Sequence, residues 1–166
     1  MTIHVSDSVI IARPVAEVFG FVADHENLPG WTVGVKTSRR LTAGPPGDGS
    51  RYRVEGKLLG RTIRSSYQVT AFDPGRGFDG TMTSPVFGFS ERYRFEPDHD
   101  ATRVQMTASV EPHGIFRLLA PVMAAGVRRQ VRTDHRRLKA LLEHRDTQAG
   151  PPAGAASGNP GLKDPI

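Results

Sequence analysis

Residues 3–11 alternate between apolar and polar: Ile3, Val5, Val9 and Ile11 carry the apolar side chains, and the period of two predicts a β-strand. Behind Pro14, the apolar residues Val15, Val18, Phe19 and Val22 recur at helical spacing, which predicts a short amphipathic helix to about Ala23. Asp24 is expected to cap a second short helix over 24–28, ended by Pro29-Gly30. Strand-like patterns then return at 33–41, 50–59, 61–72, 78–83, 87–95 and 102–110. They are separated by turn residues: the Gly/Pro-rich 42–49, Gly60, Asp73-Pro74-Gly75, and a hairpin loop at Pro97-Asp98-His99-Asp100. In 61–72 the residues Ile63, Ser65, Tyr67, Val69 and Ala71 share one face. From about 115 to 144 the period changes to three and four. Apolar side chains at 119, 122/123, 127, 131, 138 and 141/142 form one stripe of a long helix. Pro121 either kinks this helix or marks where its main part begins. Short links between consecutive strands imply an antiparallel meander of about seven strands, and the grouped helices make the class α+β.

Several stretches also resemble a known superfamily. Ile11-Ala12-Arg13-Pro14-Val15-Ala16-Glu17-Val18-Phe19 is similar to the strand-to-helix signature of START-like (SRPBCC) proteins, and so is 21–31 with its acidic residue followed by Trp31. Residues 67–74, 92–97 and 138–143 follow in the expected order. The resemblance covers about 3–144 and points to the polyketide cyclase/dehydrase-like family. It implies a helix-grip fold, in which a curved antiparallel sheet wraps a long C-terminal helix and encloses a cavity for a hydrophobic small molecule. It does not fix a function, because fold and function separate readily.

Composition narrows the classes further. A chain of 166 residues suits one domain, here 1–145. The segment from Asp146 to Ile166 is rich in Gly, Pro, Ala and Ser and is expected to be a disordered tail. No cysteine is present, which excludes disulfides, thiolate metal sites and cysteine nucleophiles. The opening MTIHVSDSVII lacks the marks of a signal peptide, and no apolar run approaches the ~20 residues of a membrane span, so a cytoplasmic protein without stable membrane insertion is expected. The net charge of +5 is mostly due to arginine. Arg128, Arg129, Arg132, Arg136 and Arg137 fall opposite the apolar stripe of the last helix and read as a solvated face. Without interleaved aromatics or a known module they do not predict nucleic-acid binding.

The chemistry-bearing residues lie on the strands. Glu91 shares strand parity with Phe87, Phe89, Tyr93 and Phe95, so an inward face puts a carboxylate in the interior. There it must be paired, shifted in pKa or functional. With Tyr67 and Tyr93 as hydrogen-bond donors it forms the expected catalytic set of an enzyme. Asp7 shares the Val5/Val9 face, and a bulge or strand end there is the expected explanation. The expected ligand walls are Trp31, Tyr67, Met82, Phe89, Tyr93, Met106, Met123 and Val127, with room left by Ser65, Ala71, Gly80 and Ala108. Arg64 has the opposite parity from Tyr67 and is expected to face solvent. The six histidines are scattered without metal-ligand spacing, so neither metal nor cofactor is expected. Two main readings follow: a carrier or sequestering protein, monomeric or homodimeric, for a hydrophobic or polycyclic molecule, or a cofactor-independent cyclase or dehydrase acting on a polyketide-type intermediate. A regulatory protein acting through a partner is a third.

Overall fold

The computed structural model describes residues 1–145 except Leu59; the tail expected at 146–166 lies outside the described residues. Strand β1 (Ile3–Ile11) leads into helix α1 (Val15–Ala23), a 3-10 turn at His25–Asn27 and the short helix α2 (Leu28–Trp31). Six strands follow: β2 (Val35–Arg40), β3 (Arg51–Leu58), β4 (Arg61–Asp73), β5 (Gly77–Thr83), β6 (Phe87–Asp98) and β7 (Ala101–Pro112). A 3-10 turn at Gly114–Arg117 precedes the long helix α3 (Ala120–Glu143). The strands form one antiparallel sheet in the order β1-β7-β6-β5-β4-β3-β2. Only the β1–β7 pairing departs from nearest-neighbour order, and it joins the first and last strands. This is the helix-grip layout expected from the sequence.

Several local expectations need correction. Pro29 and Gly30 do not end the short helix; they lie inside α2, with the proline in its first turn, where its missing N–H leaves no bond unmade. Asp24 does cap, but its carboxylate accepts from Glu26 N–H at the start of the 3-10 turn. The β6–β7 hairpin is tighter than expected. Asp98 pairs with Ala101 and Pro97 with Thr102, leaving His99-Asp100 as the loop, with His99 at a left-handed φ of 56°. Asp7 sits in an unbroken register with Met106, so its inward position owes nothing to a bulge. The register shift falls instead in β4, between Val69 and Ala71. It turns Ala71 out to solvent and brings Phe72 in against Phe19, their ring centres 5.4 Å apart. Pro121 lies in the first turn of α3 and begins the helix.

Apolar side chains fill one half of the concave face. Phe19 of α1 meets Phe95 edge-on at 5.3 Å, and Phe78 stacks on Tyr93 at 5.1 Å. From α3, Val131, Leu138 and Leu142 are buried over them. The C-terminal end of α3 is fastened to the end of β1. Arg13 Nε donates to Leu142 O at 3.0 Å and Arg13 Nη2 to Glu143 O at 3.0 Å. In return, Ala12 N–H donates to Glu143 Oε1 at 2.7 Å, and Lys139 Nζ donates to Ile10 O at 2.6 Å. The two bonds from Arg13 go to carbonyls of the last turn, the groups that a helix end leaves without intrahelical partners.

Candidate functional site

Sheet register sets the site. Across the concave face, Val5, Ala108, Glu91 and Gly80 are successive cross-strand neighbours on β1, β7, β6 and β5. Glu91 therefore sits between an alanine and a glycine, and the row leaves space above it. Two side chains reach into that space. Tyr67, on β4, donates its hydroxyl hydrogen to Glu91 Oε1 at 2.8 Å. His25, between α1 and α2, brings Nε2 to 3.3 Å from the same oxygen. Its ring lies on that of Tyr67, 4.0 Å between centres and tilted by only 27°. The other ring nitrogen, Nδ1, is 3.3 Å from Ala23 O. Both histidine nitrogens thus face acceptors; a neutral ring can satisfy one of them and a protonated ring both.

The carboxylate is inward, paired and largely buried, with 10% of its side chain exposed. The Tyr67 hydroxyl and His25 Nε2 both meet Oε1, which fixes the orientation of the carboxylate and leaves Oε2 without a contact from either. Burial pushes the Tyr67 hydroxyl well above the usual tyrosine range, and the Glu91 charge pushes it further. Burial raises Tyr93 strongly too, with Glu91, Asp134 and Asp7 adding to it. Both phenols therefore stay protonated near neutral pH and remain hydrogen-bond donors.

A second polar cluster lies in the next inward row, where Asp7, Met106, Tyr93 and Phe78 are neighbours. His135 of α3 directs Nδ1 at Asp7 Oδ2, 2.6 Å away. Its ring is 6.2 Å from that of Tyr93, and its Nε2 is buried with no partner among the described residues. Beside it, Asp134 accepts from Val33 N–H at 2.8 Å and from Gln130 Nε2 at 3.0 Å. Burial raises this carboxyl above the usual range, and those two bonds only partly oppose it.

Among the expected wall residues, Trp31, Tyr67, Tyr93 and Met106 are buried in the core, and Trp31 Nε1 has no partner among the described residues. Met82, Phe89, Met123 and Val127 are half-buried. Phe87 joins them on the sheet side. Two of the expected gaps need revision. Ala71 faces outward, and the space over Gly80 holds the Tyr67 hydroxyl. Arg64 is exposed and pairs with Glu55 at 3.0 Å, as its parity predicts. The expected stripe of α3 also needs a change, because Val122 points to solvent and Met123 inward.

Sequence reasoning missed both histidines. His135 had a signal: the apolar stripe skips from 131 to 138, and positions 134 and 135 fill that gap on the same face. His25 had none, because it lies in a non-periodic link where side-chain direction depends on tertiary packing.

No group of three or more His, Asp, Glu or Cys among the described residues is arranged to hold a metal ion. No helix among them is long and apolar enough to cross a membrane.

Comparison with known proteins agrees with the architecture. The aromatase/cyclase Zhui from Streptomyces sp. R1128 superposes with a TM-score of 0.76 at 18% identity, over 90% of this chain and 99% of that one. A START superfamily protein from Mycobacterium smegmatis gives 0.66 at 21% identity, over 88% and 98%. A conserved protein from Geobacillus kaustophilus gives 0.70 at 15%, over 86% and 95%. At these identities the likeness is one of fold. No curated protein matches the sequence significantly. Residues 2–143, nearly the whole described chain, match the family described as polyketide cyclase / dehydrase and lipid transport, and the chain belongs to that family.

Proposed function

We propose that the protein binds a hydrophobic or polycyclic small molecule between the concave sheet and the N-terminal half of α3, as a carrier or sequestering protein. The observation that carries this reading is an asymmetry of the interior. Toward the C-terminal end of α3 the space is closed by Phe19, Phe78, Tyr93 and Phe95. Toward its N-terminal end Met82, Phe87, Phe89, Met123 and Val127 remain only half-buried. Large apolar groups left half-covered on an inward face are the usual lining of a small-molecule site, and methionine suits a wall that adapts in shape. The test is titration with a lipophilic fluorescent probe, followed both by probe emission and by the single tryptophan, Trp31. Saturable one-to-one binding, weakened at least tenfold by Phe89→Asp, is expected. Absence of saturable binding to a broad panel of lipids and polycyclic phenols overturns the reading.

The Tyr67–Glu91–His25 cluster favours a second reading, in which the interior site performs polyketide-type cyclisation or dehydration, in keeping with the description of the family and with the name aromatase/cyclase that the Streptomyces relative carries. Glu91 takes the proton from a carbon between two carbonyls, and a tyrosine hydroxyl donates to the enolate oxygen. The carbanion carbon then bonds to a second carbonyl carbon of the same chain, whose oxygen becomes a hydroxyl on taking up the proton. Loss of that hydroxyl with a neighbouring hydrogen, as water, gives the dehydrated ring. No cofactor enters this balance. Holding the two carbons together supplies much of the acceleration, up to ~7–11 kcal/mol in well-oriented cases. Glu91→Gln keeps the shape and removes the base. On this reading it lowers turnover of a poly-β-carbonyl substrate by about 10²–10⁴-fold with ligand affinity nearly unchanged. Unchanged turnover removes Glu91 from the chemistry.

A further inference from the structure

The segment that leads into α3 exposes an unusual set of side chains. Ile115 is 71% exposed, Leu118 81%, Leu119 48% and Val122 79%. They lie within eight residues: Ile115 on the 3-10 turn at Gly114–Arg117, Leu118 and Leu119 in the link that follows, and Val122 in the first turn of the helix. Single exposed apolar residues are ordinary, but a contiguous ridge of four marks a contact surface.

The same outer line of α3 then becomes basic. Val122, Ala125, Arg129, Arg132 and Arg136 succeed one another at steps of three and four, so they form one strip about 21 Å long. Arg128 and Arg137 flank it, and both are exposed. Arg128, Arg129, Arg132 and Arg136, with Ala125 and Thr133, border a shallow recess on this face. Acidic residues are few: the helix carries only Asp134, which is buried and bonded to Val33, and Glu143 at its last position, which is bonded to Ala12 and Lys139. Arg117, in the preceding turn, adds another positive charge.

We infer that this apolar ridge and arginine strip dock the protein onto an anionic lipid bilayer. Leu118, Leu119 and Val122 enter the boundary between headgroups and acyl chains, and Arg129, Arg132 and Arg136 engage lipid phosphates. An apolar edge beside a purely cationic face is the pattern of helices that lie in a membrane interface. A second copy of the chain fits less well. An isologous contact sets each arginine strip against its own symmetry mate or leaves the ridge half-covered. Nucleic acid would use the arginines but leaves the ridge without a role. The docking goes beyond the interior site and requires no ligand. It also bears on the reading proposed above, because the half-buried Met123 follows the exposed Val122 directly on α3.

The test is co-sedimentation with vesicles of phosphatidylcholine alone and of an equimolar mixture with phosphatidylglycerol. The unliganded wild-type protein should bind the anionic vesicles at least tenfold more strongly than the neutral ones. Binding should weaken at ~0.5 M salt, where screening acts well inside ~10 Å. Leu118→Ser with Val122→Ser, and separately Arg129→Gln with Arg132→Gln, should each lower partitioning by about tenfold or more. All four side chains are exposed, so thermal unfolding of both variants should match wild type and exclude misfolding as the cause. No preference for anionic vesicles overturns the inference. So does binding indifferent to Leu118→Ser/Val122→Ser, which reports diffuse charge attraction alone. A stable dimer by light scattering that this double substitution dissolves also overturns it, by assigning the ridge to a second copy. Probe binding in the interior is measured separately, so failure of either reading is distinguishable from failure of the other.

Discussion

The hydroxyl of Tyr67 occupies the place where a side chain on residue 80 would begin. A Cβ added to Gly80 would overlap the Tyr67 oxygen and the ring carbon that bears it. The glycine therefore serves as the seat of the tyrosine, and the seat lets the phenol reach Glu91 on the next strand.

Gly80→Ala should accordingly be costly. The ring has to move, the bond to Glu91 is lost, and overpacking of a filled core typically costs ~1–3 kcal/mol. Denaturant unfolding measures the loss of stability, and the near-ultraviolet tyrosine signal reports the ring displacement. An unchanged midpoint would show that Tyr67 leaves its position at no cost.

The pair of Asp7 and His135 gives a different test. Asp7→Ala leaves a buried imidazole with neither nitrogen bonded, and an unsatisfied buried group costs ~1–3 kcal/mol. Asp7→Leu with His135→Leu removes both polar partners together and should recover most of that loss. Equal stability of Asp7→Ala and wild type, by thermal or denaturant unfolding, would show that the 2.6 Å contact contributes nothing.

Asp134 carries a pH signature of opposite sign to most carboxylates. Its folded-state pKa lies above its ordinary value of 3.8, chiefly because it is buried. The folded state therefore holds the proton more tightly than the unfolded chain does. The contribution is fully favourable below that ordinary value and is lost as pH rises through the raised folded value. Asp134→Asn keeps an acceptor for Val33 N–H and cannot ionise. Relative to wild type, it should gain stability as pH rises across that window and hold the gain at neutral pH. Melting curves of the two proteins from pH 3 to 8 give the difference directly. A difference that does not change with pH would mean that Asp134 ionises equally easily folded and unfolded.

The sequence allowed the sheet to be read strand by strand because inward and outward residues alternate strictly along most of it. Parity alone brought Glu91, Tyr67 and Tyr93 to one face, and the register confirms that they share it. Parity failed where the backbone breaks its own period. The irregularity after Val69 inverted Ala71 and Phe72, and nothing in Val69-Thr70-Ala71 announces it. It also could not say what a gap was for. Gly80 looked like empty volume, but its emptiness is used by a residue on the neighbouring strand. The polar partners were hidden for a related reason. Glu91 meets His25 across 66 positions of chain, and Asp7 meets His135 across 128, so neither pairing leaves a local pattern.

The bonds of Ala12 and Arg13 to Glu143, and of Lys139 on α3 to Ile10 on β1, make the helix a lever with its fulcrum at one end. Along 24 residues, about 36 Å, a small tilt about Glu143 barely disturbs Leu142 and moves Met123 by several times as much. On the carrier reading proposed above, adaptation to ligands of different girth falls to the far tip, while the anchored end keeps its dimensions.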